Sequence, residues 1–174
     1  RVLGKSGRGK LQKSLQNRCI GAESVVSYQG TGKYLPMWQL KKGSIFMLTV
    51  GIKGEQSQLV TNENTAKTMG SGTLDVFATP ALVALAEKTC WMSVAGELDE
   101  GCGSVGTKLE LEHTAPTPVG MTVTCESELT AVEGRKLVFK VSLQDEKGPV
   151  GGGVHERFIV NDAKFAAKAQ AKKG

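Results

Sequence analysis

The stretch TPALVALAEKTCWMSV, residues 79–94, decides the fold of this chain, because its only charges are Glu87 and the lysine that follows it. Its first two residues suit a helix start: the hydroxyl of Thr79 suits the N-cap, and Pro80 suits the first helical position. Gly96 closes the stretch. A helix that is apolar on nearly every face must be buried on most of them, so we predict a central buried helix here.

Alternating segments flank this helix and predict a sheet. A short strand is expected at Met47–Lys53, ended by Gly54, and four strands at hairpin spacing follow the helix. The first three have as inward sets Thr107, Leu109, Leu111 and His113; Met121, Val123, Cys125, Ser127 and Leu129; and Leu137, Phe139, Val141 and Leu143. The last strand is expected around Val154–Val160. Residues 162–173 are typical of a short basic terminal helix or a frayed tail. This order predicts an α+β fold, with a curved antiparallel sheet packed on one central helix.

The composition is that of one ordinary globular domain: 174 residues, 40 % hydrophobic, 22 % charged and only 5 % aromatic. The formal charge of +5 is unevenly distributed along the chain. Residues 1–46 carry nine Lys or Arg and one acid, a net of +8, whereas residues 47–174 carry thirteen Lys or Arg and sixteen acids, a net of −3. The body of the chain has no basic, aromatic-rich pattern, so we expect no nucleic-acid partner.

The basic end shows no sustained helical or strand period. Such a segment cannot bury enough apolar surface to offset its ordering entropy, so we expect residues 1–46 to be a flexible extension before a domain spanning residues 47–174. A targeting segment, a processed remnant and a sequence added in cloning all fit this composition, and the Arg-rich, acid-poor start is shared with mitochondrial transit peptides.

Membrane and compartment signals are weak throughout the sequence. No apolar run reaches the roughly 18 residues of a transmembrane helix, so we expect no membrane partner. Four cysteines are too few for a disulfide scaffold and favour a reducing compartment. We therefore expect a cytoplasmic protein.

Two glycine-rich motifs fail the tests of their context. GKSGRGK at residues 4–10 has no room for a preceding strand, and Leu11 stands where Ser or Thr would hold magnesium. GCGSVG at residues 101–106 precedes an alternating strand rather than a helix. The cysteines and histidines lack metal-ligand spacing, and there is no GxSxG elbow. We expect no metal and no nucleotide cofactor.

Three polar residues occupy positions that favour apolar ones or lie at the end of an element. Glu87 is inside the apolar helix, His113 ends the inward face of a strand, and Thr79 begins the helix at the end whose dipole favours negative charge. Taken singly, each has a plain structural interpretation: a solvated helix stripe, a core histidine and a cap. Together they suggest acid–base or nucleophilic chemistry.

Four stretches carry a family resemblance: VFATPALVALAEKTCW (76–91), GSVGTKLELEHTAPTPVGMTVT (103–124), SELTAVEGRKLVFKVS (127–142) and GGGVHERFIV (151–160). They resemble the fluoroacetyl-CoA thioesterase-like family of the hot-dog superfamily of acyl-CoA thioesterases. The resemblance covers most of residues 47–165, in order and with few gaps. It implies the hot-dog fold, a sheet wrapped around one long helix.

The resemblance also implies a function, the hydrolysis of a short-chain acyl-CoA to free acid and CoA. It assigns the catalytic roles to Thr79, Glu87 and His113, and it implies substrate binding by Gly106, His155 and Arg157. CoA is part of the substrate, so the resemblance implies no separate cofactor.

The same resemblance implies a homodimer or a dimer of dimers, with active sites at subunit interfaces. Thr79 and Glu87 are eight residues apart, about 12 Å along a helix, so a site that uses both must be completed across an interface or through water. The phenylalanines that cover the acyl group in fluoroacetyl-specific members have no match in Gly70–Thr73. The fluoroacetyl preference is therefore not implied. A non-catalytic hot-dog module that binds acyl-CoA is the alternative.

Overall fold

The computed structural model describes residues 48–174. The predicted flexible extension over residues 1–46 lies outside the described residues, and the domain boundary at residue 47 stays a prediction. The described elements are, in chain order, β1 (Lys53–Leu59), α1 (Thr79–Val94), β2 (Cys102–His113), β3 (Thr122–Glu133), β4 (Lys136–Asp145), β5 (Gly148–Asn161) and α2 (Asp162–Gln170).

Within residues 48–174, the five strands form one antiparallel sheet in the order β1-β3-β4-β5-β2. The inward sets predicted for β3 and β4 are confirmed except at Met121, which precedes β3 and is only partly buried. The other members are all buried: Val123, Cys125, Ser127, Leu129, Leu137, Phe139, Val141 and Leu143. They pack against α1, so the predicted α+β architecture of a sheet on one central helix is confirmed. The strand β2 lies at one edge of this sheet.

The helix α1 buries one broad face against the sheet. Its buried residues are Ala81, Leu82, Leu85, Ala86, Thr89, Cys90 and Val94. The opposite face leaves Trp91 and Met92 exposed by 44 % and 42 %. In the single chain, the helix is therefore covered on one side, although its composition predicts burial on most sides.

The predicted N-cap is wrong by one residue. Ala78 occupies the cap position with extended backbone angles, and Thr79 is the first helical residue and makes no capping hydrogen bond. The Thr79 hydroxyl is engaged instead by a side chain outside the helix, described below, so it is not available to the first turn.

The first strand also differs from its prediction. Residues 50 and 51 form a turn, and β1 begins only at Lys53, so Gly54 lies inside the strand rather than ending it. A Cβ at Gly54 would lie 2.7 Å from the Cβ of Ser93 and 2.9 Å from the carbonyl oxygen of Thr89. Glycine is needed here because α1 crosses directly over the backbone of β1.

An irregularity in β2 changes which residues face the helix. Gly106 pairs with Arg157 and Lys108 with Glu156, so Thr107 is an extra residue, a β-bulge. The predicted inward position of Thr107 is wrong, because this bulged residue is exposed, whereas Leu109, Leu111 and His113 are partly buried. Simple alternation cannot foresee an inserted residue.

The last strand and the terminal helix are both present, and the strand is longer than predicted. The final strand runs from Gly148 to Asn161, longer than expected, and the predicted terminal helix is present as α2. Among residues 48–174, no helix has both the length and the apolar character to cross a membrane.

Candidate active site

The first polar cluster, here called the threonine–histidine pair, consists of Thr79 and His113. The hydroxyl of Thr79 lies 2.9 Å from Nδ1 of His113, so the start of α1 and the end of β2 meet through one hydrogen bond. The second ring nitrogen of His113, Nε2, is buried and has no hydrogen-bond partner among the described residues. Burial lowers the pKa of His113 below its usual value. The ring is thus held at Nδ1 by Thr79, whereas Nε2 is buried without a hydrogen-bond partner among the described residues.

The segment after His113 explains how the pair is brought together. Thr114 donates its backbone N–H to the carbonyl of Val150, which ties the end of β2 to β5. Further on, Phe77 donates its N–H to the carbonyl of Thr117, just before the helix begins. The Thr117 hydroxyl, itself buried, donates to Asp145 at 2.9 Å. The loop after β2 therefore fixes the start of α1 beside His113.

The second polar cluster, here called the arginine cluster, consists of Glu87, Ser104, His155 and Arg157. Arg157 donates from Nε to the hydroxyl of Ser104 at 2.9 Å and from Nη2 to its carbonyl at 2.6 Å. Its Nη1 lies 3.0 Å from Nε2 of His155. The other nitrogen of His155, Nδ1, lies 2.9 Å from the carbonyl oxygen of Lys108.

Glu87 faces this cluster from the helix. Its Oε1 lies 3.8 Å from both His155 Nε2 and Arg157 Nη1. The Glu87 side chain is 39 % exposed, whereas those of His155 and Arg157 are 0 % and 6 % exposed. One side of the carboxylate is therefore open, and the other side lies over a buried positive charge.

Gly106 makes this arrangement possible. A Cβ at this position would collide with Oε1 of Glu87 and would lie 3.1 Å from Cε1 of His155. Only a residue without a side chain lets the carboxylate lie across β2, which gives the predicted Gly106 a specific steric role.

The structure thus sorts the six predicted site residues into two groups. It brings Thr79 to His113, and it brings Glu87 to Gly106, His155 and Arg157. Within the part of the chain that the structure describes, no hydrogen bond or ion pair joins the two clusters, and along the helix axis Glu87 lies about 12 Å from Thr79.

Sequence reasoning missed one member of the arginine cluster, Ser104, and one backbone contact to it, the carbonyl of Lys108. Ser104 precedes Gly106 by two residues and shares its strand face, so alternation alone could have identified it. The carbonyl of Lys108 left no sequence signal, because a backbone group carries none. Among residues 48–174, no group of three or more His, Cys, Asp or Glu side chains is arranged to hold a metal ion.

Comparisons with known proteins agree with this architecture. Residues 60–163 match the family described as fluoroacetyl-CoA-specific thioesterase (FlK). The chain is similar to a fluoroacetyl-CoA thioesterase of Streptantibioticus cattleyicolor, at 45 % identity over 98 residues, 56 % of this chain and 70 % of that protein.

Solved structures show the same relationship. One of the fluoroacetyl-CoA thioesterase FlK matches with a TM-score of 0.69 and 37 % identity over 72 % of this chain and 97 % of that one. A thioesterase superfamily member from Thermus thermophilus matches with a TM-score of 0.67 and 27 % identity over 72 % and 93 % of the two chains. A hot-dog-like protein from Thermanaerovibrio acidaminovorans, 24 % identical with a TM-score of 0.68 over 74 % and 96 %, shares the fold. The predicted hot-dog fold is confirmed.

Proposed function

Because this chain belongs to the fluoroacetyl-CoA-specific thioesterase family and is a thioester hydrolase, we propose that it hydrolyses short-chain acyl-CoA at a site shared by two copies of the chain. One observation supports this proposal most directly. The threonine–histidine pair stands at the start of α1 with a buried, unpartnered ring nitrogen, and it is separated from the only carboxylate of the predicted site.

The start of α1 supplies groups for the charge that develops during hydrolysis. The first helical backbone hydrogen bond runs from Leu82 to Ala78 at 2.9 Å, and Pro80 has no N–H. The N–H groups of Thr79 and Ala81 are therefore oriented toward the helix start, where the helix dipole favours negative charge. Together with the Thr79 hydroxyl, they suit the oxyanion formed when the thioester carbonyl is attacked.

The remaining steps need a nucleophile and a proton carrier. Water supplies the oxygen and the protons that hydrolysis adds, and the bond that breaks is the one from the carbonyl carbon to the CoA sulfur. Glu87 either takes the proton of the attacking water or attacks first, and water then cleaves the resulting anhydride. The proton that the water gives up is the one that the CoA thiolate needs. His113, neutral because burial lowers its pKa, accepts this proton at Nε2, from Glu87 when Glu87 is the base, and passes it to the leaving thiolate.

A second copy of the chain resolves the distance between the clusters. In the proposed dimer, the arginine cluster of one copy faces the threonine–histidine pair of the other. The exposed Trp91 and Met92 on α1 and the position of β2 at the sheet edge support such a contact.

The acyl group is proposed to be short and not fluorinated by preference. The relative's name specifies fluoroacetyl-CoA. The exposed segment Gly70–Thr73 of this chain has no aromatic residue to cover the acyl group, as the sequence comparison with that family led us to expect.

The test is hydrolysis of a panel of acyl-CoA thioesters, measured as the release of the CoA thiol with a thiol reagent. Acetyl-, propionyl- and butyryl-CoA are expected to turn over, and Glu87→Gln and His113→Ala are each expected to lose at least about tenfold in kcat. Binding of acyl-CoA without turnover across the panel would contradict the proposal and favour a non-catalytic binding module.

Complementation tests the shared site. Glu87→Gln and His113→Ala chains carrying different tags are co-expressed, and the mixed dimer is isolated by both tags. A shared site leaves one intact Glu87–His113 combination in the mixed dimer, so about half of the wild-type activity per dimer should return. If the mixed dimer is as inactive as its parents, each site lies within one chain.

A further inference from the structure

We propose that His155 is a positioning residue: it stays neutral, carries its proton on Nδ1 and directs the guanidinium of Arg157 toward Glu87. This inference rests on the proposed function only in that Glu87 is the working carboxylate. It separates His155 from the residues that touch substrate, although the family resemblance implies substrate binding for this position.

The hydrogen-bond partners fix the tautomer of His155. The carbonyl oxygen of Lys108 can only accept, so the Nδ1 atom 2.9 Å away must carry a proton. The guanidinium of Arg157 can only donate, so the Nε2 atom 3.0 Å from Nη1 must accept. Both nitrogens are thereby used, and a proton on Nε2 would place two N–H groups against each other.

His155 also has no route to a substrate. Its side chain is 0 % exposed, and in the sheet it pairs with Leu109 on one side and Phe139 on the other. With both nitrogens occupied and no exposed surface, its influence on the reaction has to pass through Arg157.

Arg157 is the part that His155 directs. Ser104 holds the guanidinium at Nε and Nη2, and these two bonds fix its plane. The hydrogen bond from Nη1 to His155 is a third point of attachment, and Oε1 of Glu87 lies 3.8 Å from the same nitrogen. Because a nearby anion stabilises a buried guanidinium, Glu87 and Arg157 restrain each other's side-chain positions.

The charges around His155 favour its neutral form. Arg157 faces it from β5 and Glu87 from α1, and Cys90 of α1 is a neutral thiol because burial raises its pKa to about 12. The contact from β2 is the uncharged carbonyl of Lys108. Burial, aided by the charge of Arg157, lowers the pKa of His155. A neutral ring avoids a second positive charge beside the guanidinium.

Two amide substitutions separate the two hydrogen bonds of His155. In His155→Gln the amide oxygen reaches the position of Nε2 and can still accept from Arg157. In His155→Asn the amide nitrogen reaches the position of Nδ1 and can still donate to Lys108, but nothing accepts from Arg157. We expect His155→Gln to keep kcat within about threefold, and His155→Asn to lose about 10- to 100-fold in kcat with little change in KM.

The kcat and KM values of these variants distinguish a positioning role of His155 from substrate binding by His155 and from no role. Equal kcat values for the two variants, or a rise in KM at constant kcat, would overturn the positioning role. Loss of activity in Glu87→Gln together with full activity in His155→Asn would reject only this inference, whereas full activity in Glu87→Gln would reject the proposed role of Glu87 itself.

A measurement on the unmodified chain covers the case in which a variant fails to fold. Nitrogen-15 NMR of the imidazole rings reports the tautomer of each of the two histidines of the chain. A neutral ring protonated on Nδ1 between pH 6 and 8 is expected for His155. A ring protonated on Nε2, or an imidazolium in that range, would overturn the proposal.

Discussion

The threonine–histidine pair and the arginine cluster both use α1 and β2, and the cluster also uses β5, yet their polar groups are satisfied to different degrees. In the pair, one hydrogen bond joins two side chains and a buried nitrogen of His113 is left without a described partner. In the cluster, Arg157 and His155 make four hydrogen bonds between them and to Ser104 and Lys108.

This difference suggests that the threonine–histidine pair takes part in the reaction, whereas the arginine cluster holds Glu87 in position. A buried nitrogen without a hydrogen-bond partner lowers the stability of the fold, so its presence calls for an explanation. Proton transfer to a reacting group is one such explanation. A saturated network resists rearrangement and is suited to holding a carboxylate in place. Substitutions in each cluster and the pH dependence of the reaction test this division, and the largest effect is expected where the position of Glu87 is disturbed.

Filling the space at Gly106 should damage the arginine cluster most. In Gly106→Ala the new Cβ occupies the position of Glu87 Oε1, so the carboxylate must move, and we expect kcat to fall about 100-fold. Steady-state kinetics and a melting curve measure the effect. Gly96→Ala is the matched control, because a Cβ there meets nothing within 4 Å. Wild-type kcat in Gly106→Ala would show that the position of Glu87 is unimportant.

Removing one hydroxyl should weaken the threonine–histidine pair. Thr79→Val keeps the shape of the side chain and loses the bond to His113, so we expect kcat to fall about tenfold. The melting temperature should stay nearly constant, because Thr79 is exposed. Thr79→Ser, which restores the hydroxyl, should recover most of the activity. If valine and serine behave alike, the hydroxyl has no role.

The pH dependence should follow the pair rather than the cluster. Burial lowers the pKa of His113, and the ring must be neutral to accept a proton, so kcat/KM should be full above the usual histidine value of about 6.5 and fall only at lower pH. The acid limb of the kcat/KM profile, measured with a buffer series of constant ionic strength, gives its midpoint. A midpoint above about 6.5 would contradict the assignment.

The smallest effect is expected where the cluster reaches the surface. Lys108 contributes its carbonyl to His155, but its side chain points outward and pairs with Glu110 at 2.7 Å. Exposed ion pairs contribute little, so Glu110→Gln should leave both kcat and the melting temperature unchanged. A measurable loss of kcat would mean that the outer face of β2 influences the site.

Most of the fold could be predicted because it rests on local periodicity. The apolar run at 79–94 and the alternation of residues such as Val123 and Phe139 place the helix and the middle strands correctly. The first strand was misplaced because only the packed structure reveals that Gly54 is required by the close approach of Ser93.

The candidate site could be predicted residue by residue but not as an arrangement. Thr79, Glu87 and His113 stand out as polar residues in apolar settings, which is a sequence property. Their division into two clusters depends on where β2 crosses α1, which is a tertiary property. The saturation of His155 by Lys108 and Arg157 depends on a backbone carbonyl, which no residue type encodes.

The bulge at Thr107 has a consequence for how this strand can evolve. Gly106 and His113 are seven positions apart, an odd number, and in a regular strand they would face opposite sides of the sheet. The extra residue restores the match, so one strand serves both clusters. What matters at position 107 is therefore the presence of a residue rather than its identity. Many substitutions there should be neutral, whereas a single deletion would turn half of the site away from the helix.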